Sequence, residues 1–176
     1  SEGKIITSLN LAMAIVQSKS THKVLVIDAD MRRGRIAKYL GVKQETGLAE
    51  LLSGEAKLGD VLFNIDVPNL TFLAAGKYPD NPVDLLDSKA MKELLAEVRT
   101  MFDLVIVDAP PVISVTDAGI IGPLTDGVLM IFQAGRTQRG IIRHAEEVLY
   151  QSHAKILGHV MTSIEYHLPE YIYRYL

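Results

Sequence analysis

The chain contains no cysteine among its 176 residues, which excludes disulfides and thiolate-bound metal sites and fits a cytoplasmic protein. No apolar run approaches the ~20 residues that a membrane-spanning helix requires, and no secretory signal pattern is visible. An excess of positive charge is missing too. The formal net charge is −3, so bulk charge gives no support for binding nucleic acid or an anionic membrane. The histidines His22, His144, His153, His159 and His167 lack metal-ligand spacing and form no Ser/His/Asp arrangement. Neither zinc nor hydrolase chemistry is indicated by them. What is present is apolar material, 48% of the residues against 22% charged. That suits one compact soluble domain, burying roughly 70% of its unfolded surface without staples.

Two stretches of that material share one design. Val24-Leu25-Val26-Ile27-Asp28 and Leu104-Val105-Ile106-Val107-Asp108 are apolar runs that each close on an aspartate. Such runs read as central strands of a parallel sheet, apolar on both faces. Ligands of open α/β sheets bind at the carboxyl ends of the strands. Near that end Glu2-Gly3-Lys4 supplies a Gly-Lys turn, and Leu9, Ala12, Met13 and Val16 predict a helix over about residues 4–18. Two carboxylates beside such a turn are what a Mg²⁺-nucleotide site needs. Ser1-Glu2-Gly3-Lys4 reads as the second half of a phosphate-binding loop, so its first Gly and its preceding strand are expected upstream.

The remaining pattern alternates strands with helices. Strands are predicted at Leu70 to Leu73, Gly127 to Phe132 and Lys155 to Met161. Short helices are predicted around Ile36 to Leu40, Gly47 to Leu52 and Asp117 to Ile121. Longer ones carry Met91, Leu94, Leu95 and Val98 behind an Asp87-Ser88 cap, and run from Gln138 to Ser152. The stretch with Pro79, Asn81 and Pro82 reads as a loop. The fold class is therefore α/β: a mostly parallel central sheet flanked by helices on both faces, with right-handed crossovers.

Three groups of residues carry candidate chemistry. In Asp28-Ala29-Asp30-Met31-Arg32-Arg33, Asp28 would orient Mg²⁺-bound water or take a proton from an attacking hydroxyl. Asp30 would hold the geometry and Arg32 would neutralise phosphate charge. A charged strand exit making local salt bridges is the competing reading. Asp108-Ala109-Pro110-Pro111 offers an outer-shell Mg²⁺ ligand on a rigid exit without amide donors. Asp117 follows in a short helix, either as a helix-start residue or as part of the site. At the chain end stand Tyr166, Tyr171, Tyr173 and Tyr175. They read as a strip of phosphoacceptors or as an amphipathic edge strand.

Taken in order, these motifs resemble the bacterial protein-tyrosine autokinases of capsule and exopolysaccharide export, the BY-kinases, within the MinD/ParA-like P-loop NTPases. Glu2-Gly3-Lys4 is similar to the end of their Walker A motif. The stretch from Val24 to Arg33 is similar to their Walker A′ motif, and that from Leu104 to Pro111 to their Walker B motif. Ala75-Gly76, Asn81-Pro82 and Leu85-Leu86 match a further family stretch. The resemblance implies ATP- and Mg²⁺-dependent transfer of a phosphoryl group to tail tyrosines of a neighbouring subunit. It implies a kinase domain over residues 1–165 and a tyrosine-rich tail over 166–176. Ser1, Glu2, Gly3, Lys4, Ile5, Ile6 and Arg32 would bind nucleotide, and Lys4, Asp28, Asp30 and Asp108 would be catalytic. Asp28 and Asp108 would also manage the metal. Implied partners are subunits in a ring, a membrane-embedded chain-length regulator as a separate chain or fused domain, and a cognate tyrosine phosphatase, at the inner face of the plasma membrane. No nucleic acid is implied.

Three positions depart from the family pattern. Ile5 stands where a Mg²⁺-binding Ser or Thr follows the lysine. Thr162-Ser163 replaces Asn-Lys near the base, and Gly34 replaces a proline, which would loosen its loop. A MinD/ParA-type ATPase, or a pseudokinase weakened by Ile5, are the alternatives.

Overall fold

The computed structural model describes residues 3–18, 22–42 and 45–164. Its centre is strand β1, Val24–Asp28, of which every residue is buried. Strand geometry sends alternate side chains to opposite faces, so β1 feeds two cores. Val24 and Val26 pack with Ala12 and Val16 of helix α1, Lys4–Ser18, and with Ile36 of the four-residue helix α2, Ile36–Tyr39. Leu25 and Ile27 pack on the other side against α3, Leu48–Leu52, α5, Pro82–Leu86, and α6, Lys89–Met101. Each fully buried aliphatic side chain in these layers contributes about 1.5–3 kcal/mol. The expected arrangement, helices on both faces of the sheet, is what forms.

Four strands make the main sheet in the order β2-β3-β1-β4. β3, Leu70–Leu73, and β4, Leu104–Asp108, both run parallel to β1. The edge strand β2, Leu62–Asn64, is antiparallel and follows a one-turn helix α4, Leu58–Val61. Neither α4 nor β2 shows in the sequence pattern, being too short for a period to register. The Pro82 stretch is likewise a helix where a loop is expected. Proline at its first turn loses no hydrogen bond and has its φ already set for a helix. Ser88 does cap α6, its Oγ accepting from the Met91 amide at 3.2 Å.

After β4 come α7, Asp117–Ile121, then β5, Val128–Gln133, α8, Arg139–Gln151, and β6, Ile156–Thr162. β5 and β6 pair in parallel as a separate two-stranded sheet. Met130, Ala145, Leu149 and Ala154 form a small core of their own beneath α8. Among the described residues β4 pairs only with β1, and β5 only with β6. A cavity of about 770 Å³ lies where the two strands would otherwise meet, with Leu104 to Asp108 along one side and Val128 to Phe132 along the other. Ile113, Leu129 and Ile141 line it and are 40–45% exposed. No helix among the described residues is long and apolar enough to cross a membrane.

Candidate functional site

Parallel pairing sets Asp28 and Asp108 side by side at the carboxyl ends of β1 and β4. They are 2% and 5% exposed. Asp28 is wrapped by the loop that leaves its own strand. Its Oδ1 accepts from the Asp30 amide at 3.2 Å, and its Oδ2 from the Arg35 and Ile36 amides at 2.9 and 3.0 Å. Burial raises its carboxyl above the ordinary range, the three amides oppose that, and the charge of Asp30 adds to it. Asp108 accepts from Ser8 Oγ at 3.0 Å. Burial pushes it up to about 6, with Asp28 adding and the Ser8 bond and Lys4 charge opposing. Two adjacent buried acids that each disfavour ionisation are a site short of positive charge.

Helix α1 brings the other side of the site. Gly3 has φ +83, and a Cβ there would sit 3.3 Å from Thr162 Cγ2, so the end of β6 closes on the start of α1. Lys4 and Ser8 are one helical turn apart on one face, and both line the cavity mouth with Asp108. Thr7 lines the same cavity, but its hydroxyl donates to the Gly3 carbonyl at 2.9 Å. Ile5 packs against the core formed by Ala12, Val16 and β1, and Ile6 is half exposed. The hydroxyl that reaches the acids is therefore that of Ser8, a residue the motif pattern passes over. Its position four residues after Lys4 was the available signal.

Asp30 closes the turn after β1, its Oδ1 accepting from the Arg33 amide at 3.0 Å. Arg32 donates from Nε and Nη2 to the two carboxylate oxygens of Asp117, both at 3.2 Å. Asp117 is fully buried at the first position of α7, whose N-cap residue Thr116 makes no side-chain cap bond. It is thus a partner of Arg32 rather than a helix-start residue alone. Glu50, also buried, accepts from the Gly47 amide at 2.7 Å and the Lys77 amide at 3.0 Å, which ties α3 to the loop after β3. Gly34 lies close to another element, since a Cβ there would come within 2.5 Å of Ala75 Cβ.

The residues fit a Mg²⁺-bound phosphate chain. Mg²⁺ is ordinarily held by one or two carboxylates plus phosphate oxygens and water, and a cation between Asp28 and Asp108 would relieve their repulsion. Among the described residues no cluster of three or more acidic or imidazole side chains competes for that role. Lys4, Ser8, Asp28, Asp30 and Asp108 are brought to one end of the sheet, whereas Arg32 is engaged by Asp117. Ser1, Glu2, Tyr166, Tyr171, Tyr173 and Tyr175 lie outside the described residues.

Comparison with known proteins adds four findings. A family model described as an AAA domain matches residues 2–149. The tyrosine-protein kinase CpsD of Streptococcus agalactiae is 35% identical over 171 residues, covering 97% of this chain and 74% of that protein. Among solved structures, the kinase domain of the Escherichia coli tyrosine kinase ETK superposes with a TM-score of 0.88 at 32% identity, covering 96% of this chain and 68% of that one. The septum site-determining protein MinD of Pyrococcus horikoshii OT3, complexed with Mg-ADP, shares the fold with a TM-score of 0.75 at 22% identity, covering 92% of this chain and 65% of that one.

Proposed function

The chain belongs to the bacterial protein-tyrosine kinases, within the MinD/ParA-like P-loop NTPases, and on that footing we propose that it is an ATP-dependent tyrosine autokinase that modifies its own tail. The observation that carries the reading is the in-register pair Asp28 and Asp108, met by Lys4 and Ser8 from α1. Lys4 places a cation at the phosphates, and the two acids hold Mg²⁺ and orient the attacking hydroxyl. Residues 1–165 act as the kinase domain and the tail over 166–176 supplies Tyr166, Tyr171, Tyr173 and Tyr175. Acceptors in trans require a homo-oligomer. Four phosphates add roughly −6 to −8 charge, so modification would favour disassembly. A membrane-embedded chain-length regulator, a cognate phosphatase and control of polysaccharide export complete the reading, with ATP and Mg²⁺ as cofactors.

The slot between β4 and β5 supports an upstream strand that carries the first half of the phosphate loop. Its lining is mostly apolar, and among the described residues neither flanking strand is paired on that side.

Phosphopeptide mass spectrometry of the full-length protein after incubation with Mg-ATP tests the function. Phosphate on the four tail tyrosines is the expected result. Phosphate release without phosphotyrosine selects the ATPase reading instead. Because Ile5 stands where the family pattern has a Mg²⁺-binding Ser or Thr, Ile5→Thr is expected to raise turnover roughly thirty- to over a hundredfold.

A further inference from the structure

Arg32 lies in the segment that wraps Asp28. The amides that hold Asp28 belong to Asp30, Arg35 and Ile36, so they bracket Arg32 on both sides. Its guanidinium makes a two-pronged pair with Asp117, whose side chain is 0% exposed against 29% for Arg32. Asp117 stands nine residues beyond Asp108, on the helix that follows the Pro110-Pro111 exit. The pair therefore joins the exit of β1 to the exit of β4, the two segments that carry the acids. The Tyr78 hydroxyl also bears on the guanidinium, from the loop after β3. Planar two-point recognition fixes orientation as well as distance, which a lysine cannot reproduce.

We propose that Arg32 and Asp117 form a positioning pair that aligns Asp28 with Asp108, and that Arg32 is not a phosphate ligand. Misplacement of a reacting group by about 1 Å costs on the order of a hundredfold in rate, so a tie at this place controls turnover without touching substrate. The proposal rests on the kinase reading for its reaction, though not for its geometry.

The test is a double-mutant cycle in the full-length protein with Arg32→Gln, Asp117→Asn and the two combined, with Arg32→Lys as the conservative variant. Turnover and the KM for ATP are measured for tail phosphorylation, and the Kd for Mg-ADP by calorimetry. Each single change is expected to lower kcat about ten- to a hundredfold while KM and Kd stay within about twofold. The combined variant should be no worse than either single one, and Arg32→Lys should recover only part of the rate. A tenfold rise in KM and in Mg-ADP Kd for Arg32→Gln, with Asp117→Asn unaffected, would make Arg32 a phosphate ligand and overturn the proposal. So would additive losses, or losses that vanish well below each variant's melting temperature. A wild-type protein that makes no phosphotyrosine defeats the kinase reading instead. The pair is then judged by the same cycle on ATP hydrolysis.

Discussion

β1 and β4 are almost the same string, Val-Leu-Val-Ile-Asp and Leu-Val-Ile-Val-Asp, yet they live in different surroundings. All five residues of β1 are buried, but in β4 only Asp108 is. The cause lies in their neighbours. β1 has a strand on either side, while β4 has β1 on one side and the cavity toward β5 on the other. Equal hydrophobicity thus produces unequal burial where one edge of a strand has no partner among the described residues. The two terminal acids differ in the same way. Asp28 is held by three amides of its own loop, whereas Asp108 depends on a hydroxyl from a helix a hundred residues earlier.

The strongest way to break that comparison is to truncate one isoleucine in each strand. Ile27→Ala in β1 is expected to cost about 2–5 kcal/mol, the usual range for a fully packed site. Ile106→Ala in β4 should cost less than half as much, because the site is already partly open. Urea midpoints at unchanged m-value read the difference. Equal losses would show that β4 is as enclosed as β1. In a protein whose slot holds an upstream strand, the Ile106 cost should rise to match that of Ile27.

A smaller effect, of opposite sign at the two sites, comes from neutralising the acids. Asp28→Asn turns one amide-accepting oxygen into a donor and is expected to destabilise the nucleotide-free protein by about 1–3 kcal/mol. Asp108→Asn keeps an acceptor for Ser8 and removes a buried charge, so it should stabilise that state at pH 7 by roughly 1–2 kcal/mol. Mg²⁺-dependent nucleotide binding should weaken in both. Thermal melts with and without Mg-ADP separate the two effects, and a destabilised Asp108→Asn would remove the distinction between the acids.

The gentlest effect is a slope with pH. Asp108 titrates at about 6 in the folded chain against 3.8 for the free side chain. Between those values the folded state binds more protons than the unfolded one, so its stability falls as pH rises from about 4 to about 6. Asp28 shifts in the same direction. Each acid contributes at most about 1.4 kcal/mol per pH unit. Melts of the nucleotide-free protein across that window should show a shallower fall in Asp108→Asn. As pH rises past 6 Asp108 gives up its proton and is open to a metal, so Mg²⁺ affinity should rise through that window.

Local patterns were legible. The apolar runs, the helix after Gly3 and the Ser88 cap follow from residues within a turn or a strand of one another. The acids at the strand ends were legible too, since a strand delivers its last residue to the sheet edge whatever surrounds it. Arg32 and Asp117 stand 85 residues apart, and no period links them. The close approach of Gly34 to Ala75 was hidden too, because Ala75 belongs to another element. The helix at Pro82 was hidden because proline marks both turns and helix starts.

The order of residues was enough to decide which segments become strands and helices, and that two carboxylates would arrive at one end of a sheet. It could not decide that Ser8 meets Asp108 or that Asp117 takes Arg32. Those depend on strand register and on which edges find partners, and such pairings exist only once distant segments have packed together.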